Sequence, residues 1–300
     1  MKKSIFSWLR KRKNKAAVAQ ENVSTVPLSE RPAEQLQAKG LHLEPQQLVF
    51  ACGQSVGKQR DHNEDCVFAF SLAIGGDTRS YPLGLFVVAD GMGGHRYGEV
   101  ASSTAVRTLG GYLLKHFQPS LVDPSVSMDE SLQDLMRSAI DEAQRAVTQA
   151  APGSGTTLTA ALVLGQQMTI GHVGDSRAYA VQSYGNGEAL TRDHSLVKRL
   201  EELGQISSEE AAVHPQRNVL YRALGQGEVL EPDIFTAPFP QPGYLLLCSD
   251  GLWSVLSESN LYKQVVGAKD LRSACQNLIA AANEAGGPDN ISVIIVQLTS

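Results

Sequence analysis

From Gln47 onward, apolar positions fall into blocks whose period alternates between two and about three and a half residues, the marks of strands and amphipathic helices. Residues 48–56 and 66–72 read as strands, and 83–89 reads as a central strand, apolar on both faces. Helical spacing over 99–117 and 128–150 predicts two amphipathic helices, the second capped near Asp129 and ending before Pro152. Strand patterns over 156–164, 168–173 and 178–182, joined by glycine-containing turns, predict an antiparallel meander. A more polar stretch, 193–218, with short helices around 196–203 and 208–212, predicts a flap over a site. Strands over 233–237 and 244–248, helices over 257–266 and 270–284, and a closing strand over 291–298 complete the pattern. Strand blocks with helix pairs between them predict antiparallel sheets with helices on the outside. Residues 1–46 show no sustained period and contain Pro27, Pro32 and Pro45, which predicts a disordered tail and leaves 47–300 as one domain.

Charge changes this picture at the tail. The net charge of −5 is unevenly placed: residues 1–20 hold seven bases and no acid, leaving 19 bases against 31 acids in the remainder. An acidic body is a poor nucleic-acid binder and a good collector of divalent cations. Ile5, Phe6, Trp8 and Leu9 stand among the basic residues, which suits either a weak contact with an anionic membrane or partner, or a solubilising tail. No run approaches the roughly 20 apolar residues of a membrane span. Residues 4–9 are too short for a secretory core, so a cytoplasmic protein is expected. Cys52, Cys66, Cys248 and Cys275 lack C-x-x-C spacing and are expected as buried free thiols.

Candidate chemistry gathers where apolar runs begin or end. Arg60-x-x-Asn63-Glu64-Asp65, Asp90-Gly91-Met92-Gly93-Gly94, Gly174-Asp175-Ser176-Arg177, Ser249-Asp250-Gly251 and Pro288-Asp289-Asn290 each put an acid beside a glycine, a serine or an asparagine. Any one of them reads equally well as a turn or a surface ion pair. Together they are harder to dismiss, because converging carboxylates repel one another and divalent cations supply the missing counter-charge. The Gly91 carbonyl and Glu64 could serve as further oxygen ligands, and Asp65 could orient a metal-bound water. Arg60 offers a planar fork for phosphate oxygens. Asp175 reads as either a turn acid or an outer ligand.

With Ser154-Gly155-Thr156-Thr157, Arg222-Ala223-Leu224-Gly225 and Gly287-Pro288 added, these motifs occur in an order that resembles the metal-dependent serine/threonine protein phosphatases, the PPM or type 2C family in its bacterial form. The likeness runs from about Val49 to Leu298. It implies an α+β fold, a four-layer α/β/β/α sandwich of two antiparallel sheets flanked by helix pairs. It also implies hydrolysis of phosphoserine and phosphothreonine on proteins by a water that two cations, Mn²⁺ or Mg²⁺, activate. By position, Asp90 would bridge both cations, Asp250 and Asp289 would complete the first, and Glu64 with the Gly91 carbonyl would serve the second. Asp175 with Asp250 would hold a weaker third, Arg60 would grip the phosphoryl oxygens, and Asp65 would hold the attacking water. The implied partners are phosphorylated proteins and a cognate serine/threonine kinase, for an enzyme acting as a monomer. Rival readings are a phosphatase of small phosphomonoesters and an inactive phosphoprotein-binding module. One departure stands out: Met92 occupies the place where many eukaryotic members carry a histidine proposed as general acid, and His95 lies three residues further on.

Overall fold

Alternation along the strands decides the architecture. A computed structural model describes residues 46–74, 81–93, 97–122, 130–227 and 230–299. Its elements run β1 (Leu48–Ser55), β2 (Asp65–Ile74), β3 (Tyr81–Met92), α1 (Tyr97–Val122), α2 (Leu132–Ala150), β4 (Gly155–Thr156), β5 (Leu158–Leu164), β6 (Gln167–Val173), β7 (Arg177–Gln182), β8 (Gly187–Ala189), α3 (Leu196–Glu202), α4 (Ser208–Ala212), β9 (Asp233–Pro238), β10 (Gly243–Cys248), α5 (Asp250–Trp253), α6 (Glu258–Gly267), α7 (Leu271–Glu284) and β11 (Ile291–Leu298). One sheet has the order β1-β11-β10-β7-β8, the other β2-β3-β5-β6-β9 with β4 pairing the end of β3, and the paired strands are antiparallel.

On β3, Leu85, Val87 and Ala89 pack with the α1–α2 core, while Phe86 and Val88 belong to the core between the sheets, and all five are fully buried. A strand with both faces covered must be apolar at successive positions, as 83–89 is. On α1, Ala101, Ala105, Leu109, Leu113 and Phe117 recur every fourth residue to make one buried stripe. α6 and α7 cover the other sheet through Leu261, Val265, Ala274 and Leu278. The result is four layers: helices, sheet, sheet, helices.

Several expectations need correction. Residues 156–182 do not form one meander. β5 and β6 pair with each other, but β6 continues to β9, while β7 crosses to the other sheet between β10 and β8. Gly174 turns the chain there at φ +105°, a conformation that L residues rarely adopt. The run 156–164 is broken at Thr157 into β4 and β5, and neither β8 nor α5 was foreseen. α2 is capped by Ser131, whose hydroxyl accepts from the Asp134 amide. Asp129, the expected cap, lies outside the described residues, as do the tail to residue 45 and His95. Cys248 and Cys275 are buried thiols, whereas Cys52 is exposed and Cys66 half-buried, because β1 and β2 are the edge strands of their sheets.

Candidate metal and phosphate cleft

The strand ends open into a cavity of about 530 Å³ whose lining includes Arg60, Glu64, Asp90, Asp175, Asp250 and Asp289. Six residues separated by as much as 229 positions are thus gathered by the two sheets into one cleft. Gly91 and Met92 also line it, as do Asn218 and Leu220, so the predicted flap segment does reach the site.

Asp90 is held by its backbone. Its amide donates to Thr157 Oγ1 at 2.8 Å, and its carbonyl accepts from the Thr157 amide and Thr156 Oγ1, each at 2.9 Å. The 154–157 motif is therefore a clamp on Asp90. The 222–225 motif backs the clamp: Leu224 and Thr156 exchange both backbone hydrogen bonds, at 3.0 and 2.9 Å, and the Gly225 amide donates to Gln144 Oε1 at 2.7 Å. At Gly91 the amide donates to the Glu64 carbonyl at 3.2 Å, and a Cβ would collide with the carbonyl of Gly98. Only glycine fits there.

Asp289 is held on both sides: Oδ1 accepts from the Asn290 amide at 2.8 Å and Oδ2 from Arg60 Nη2 at 2.6 Å. Buried Asn290 ties the loop of residues 56–64 to this turn, donating to the carbonyls of Val56 and His62 and accepting from the Glu64 amide. Asp250 opens α5, and Trp253 at the end of that helix donates from Nε1 to the Asp175 carbonyl at 2.9 Å. Asp65 is placed differently from the others. It is not part of the cleft lining; it sits opposite Asp90 in the β2–β3 register, with Oδ2 accepting from Ser249 Oγ at 2.7 Å.

Electrostatics separates these acids from ordinary turn acids. Among the described residues, Glu64 Oε1, Asp65 Oδ1 and Asp250 Oδ1 are buried without a hydrogen-bond partner, although His62 Nε2 stands 3.4 Å from Glu64 Oε1. Burial pushes Asp65 up to about 7; Ser249 and Ser292 hold it down by hydrogen bonding, and Asp250 and Asp289 add to the rise. Burial, then the charge of Asp289, raises Asp250 to about 6. Asp90 and Asp175 are raised well above the carboxylate range, first by burial and then by neighbouring acids, Asp65 and Asp250 for the one and Asp250 and Asp193 for the other. Among the described residues no three His, Cys, Asp or Glu side chains are clustered closely enough to hold a metal ion as they stand. Even so, buried carboxylate oxygens without donors, crowded by like charge, are a donor set that fits hard divalent cations.

Sequence reasoning missed Thr157, Ser249, Asn290 and Trp253, which hold the acids, and His62, which lines the cleft. Thr157, Ser249 and Asn290 did stand inside quoted motifs, but nothing in one chain says what they bond. Met92 faces the cleft as expected, and its sulfur has Gln226 Nε2 at 4.0 Å.

The sequence fits the family model for Protein phosphatase 2C over residues 52–291. It is similar to the serine/threonine phosphatase stp of Listeria monocytogenes, 37% identical over 247 residues, covering 80% of this chain and 92% of that one. The S. agalactiae serine/threonine phosphatase structure superposes with a TM-score of 0.71 at 33% identity, covering 83% of this chain and 99% of that one. The catalytic domain of the serine/threonine protein phosphatase PstP, in complex with 2 manganese ions, superposes with a TM-score of 0.68 at 28% identity, covering 84% and 99%.

Proposed function

The chain belongs to the protein phosphatase 2C family, and from that premise we propose how its cleft is used. The protein is a metal-dependent serine/threonine phosphatase that hydrolyses phosphoserine and phosphothreonine on proteins. Divalent cations, when bound, supply Lewis acidity: they ease the ionisation of water and offset charge on the phosphoryl oxygens. In our reading Asp90 would serve both cations, Asp250 and Asp289 would help hold the first, and Glu64 with the Gly91 carbonyl would help hold the second. Asp175, beside Asp250, suits a weaker third. Mn²⁺ is the ion we assign first, with Mg²⁺ as its substitute. The observation that carries this assignment is the set of buried, unpartnered carboxylate oxygens around one cleft.

The chain's own groups do the rest. Arg60, half exposed and paired with Asp289, forks onto two phosphoryl oxygens and fixes the ester for in-line attack. Asp65, opposite Asp90 in the β2–β3 register and with a buried Oδ1 that has no partner among the described residues, is the group we assign to orienting the attacking water. Met92 has no proton to give, and we assign protonation of the leaving serine or threonine oxygen to water.

We further place the enzyme in the cytoplasm as a monomer opposing a serine/threonine kinase, with residues 1–46 a tail outside the 47–300 catalytic domain. Among the described residues no helix is long and apolar enough to cross a membrane. Deleting residues 1–45 should leave hydrolysis of an aryl phosphate unchanged, and a large loss would put the tail inside the catalytic fold. The assignment of ligands is tested with a phosphothreonine peptide and Mn²⁺: full activity retained by Asp250→Asn would sink it.

A further inference from the structure

A second charged cavity, of about 460 Å³, is lined by Arg192, His194, Arg199, Tyr221, Arg222 and Asp233. It lies at the root of the 193–218 segment, where the two ends of that segment meet. The Leu196 amide donates to the Val219 carbonyl at 2.8 Å and the Tyr221 amide to the His194 carbonyl at 2.9 Å, with a bridge between Ser195 and Leu220. Three guanidinium groups share this wall with one carboxylate, Asp233, and with a buried imidazole whose pKa burial lowers, so the lining is cationic.

The remaining acids hold the arginines without lining the cavity. Glu202 pairs with Arg192 and, at 3.8 Å, with Arg199, while Glu231, 76% exposed, reaches Arg222 Nη2 at 3.3 Å. Asp233 reaches Arg222 Nη1 at 3.2 Å and His194 Nε2 at 3.3 Å. The Arg222–Glu231 pair, whose acid is exposed, contributes no more than about 1 kcal/mol, so an entering anion competes with it readily. A phosphoryl group, with three acceptor oxygens and a charge of about −1.5 to −2, matches several guanidinium forks better than single carboxylates do.

We propose that this cavity is a second phosphoryl-binding site, separate from the acid cleft, and that its occupancy braces the flap segment over that cleft. The brace has a covalently short path. His194 exchanges hydrogen bonds with Gly174, its amide donating to the Gly174 carbonyl at 2.7 Å and its Nδ1 accepting from the Gly174 amide at 3.1 Å. Gly174 precedes Asp175 of the cleft, and Asn218 and Leu220, which line the cleft, lie just before Tyr221 and Arg222. Two sources carry the required group: free inorganic phosphate, which is also the reaction product, and a second phosphorylated residue on the substrate protein. The inference does not rest on which acid holds which cation.

The test uses full-length protein in chelator, where the carboxylates of the cleft outnumber Arg60 and disfavour anions. Inorganic phosphate titrated by calorimetry should bind saturably, and the Arg192→Ala/Arg199→Ala double variant should bind it at least about tenfold more weakly. Both side chains are more than half exposed, so the variant should fold, as a thermal melt would verify. If it melts early, Arg199→Gln alone carries the comparison. With Mn²⁺ restored, a lower KM for doubly than for singly phosphorylated peptide in the native protein, lost in the variant, assigns the site to the substrate. Equal KM values with the phosphate isotherm intact assign it to free phosphate. No saturable isotherm, or identical isotherms for native and variant protein, would overturn the proposal.

Discussion

Two polar clusters are buried on either side of the Gly174–Ser176 turn, and they are built on opposite terms. In the cleft and just beside it, acids crowd acids, and Glu64, Asp65 and Asp250 each bury an oxygen that has no donor among the described residues. Behind the turn, the polar groups are matched. His172 Nε2 donates to the Arg192 carbonyl at 3.0 Å, and Nδ1 lies 2.9 Å from Thr159 Oγ1. Arg177 forks onto buried Asp193 at 2.9 and 2.8 Å, bonds Tyr179 Oη at 3.1 Å, and lays its guanidinium 3.6 Å over the Trp253 ring. Burying polar groups without partners destabilises a fold, so such groups persist where something outside the chain completes them. Partnered groups need nothing further and set the geometry instead. One cluster is for chemistry, the other for holding it still.

The sharpest way to break this contrast is to exchange one acid in the cleft. Asp90→Asn should lower turnover of a phosphothreonine peptide at least about 10⁴-fold while leaving the melting temperature unchanged or higher. A modest loss of turnover accompanied by a collapsed melt would put Asp90 with the structural cluster. The matched cluster should respond the other way. Arg177→Met leaves Asp193 buried without its partner, which costs about 3–5 kcal/mol. That should appear as a melting temperature lower by about 10 °C for a domain of this size. A shift of only a degree or two would show that the fork onto Asp193 holds little.

Much of this contrast was legible beforehand, and the illegible part has a physical reason. Asp90, Asp250 and Asp289 announce themselves because an acid next to glycine or asparagine at a strand boundary is a local signal. So is the apolar run of 83–89, since burial on both faces leaves its mark on adjacent positions. What stayed hidden acts at long range: Asn290 bonds Glu64 across 226 positions, Ser249 bonds Asp65 across 184, and Trp253 bonds Asp175 across 78. The crossing of β7 to the other sheet was hidden too, because a short glycine turn between two apolar runs looks the same whether the second strand folds back or leaves. Only the pairing of β6 with β9 and of β7 with β10 decides it.

Acid sharpens the contrast further, since the two clusters titrate with opposite sign. Burial holds His172 down from its ordinary 6.5 to about 4, with His194 pushing the same way. Between those values the unfolded chain binds the extra proton, so this contribution to stability is lost as pH falls from 6.5 toward 4. The loss is at most about 3 kcal/mol. Denaturant titrations across that window should show it in the native protein, and His172→Asn should flatten it. A variant that keeps the full acid slope would remove His172 as its cause.

Asp250 runs the other way. Its folded value is raised from 3.8 to about 6, so between those values the folded chain holds the extra proton, and stability is lost as pH rises through the window. At neutral pH the chelated protein therefore carries an ionised, crowded carboxylate that weakens the fold. Asp250→Asn removes that charge and should melt about 2–4 °C above the native protein in chelator, a gain of about 1 kcal/mol. Excess Mn²⁺ should reverse the order. A ligand at a hundredfold over its dissociation constant stabilises the folded state by about 2.7 kcal/mol, and the native cleft has the carboxylate to receive it while the variant does not. The crossing of the two melting temperatures on adding manganese is the signature of a cluster kept unsatisfied for an outside partner. If the native protein melts above the variant in chelator already, the acids of the cleft are not in conflict, and the contrast with the matched cluster loses its basis.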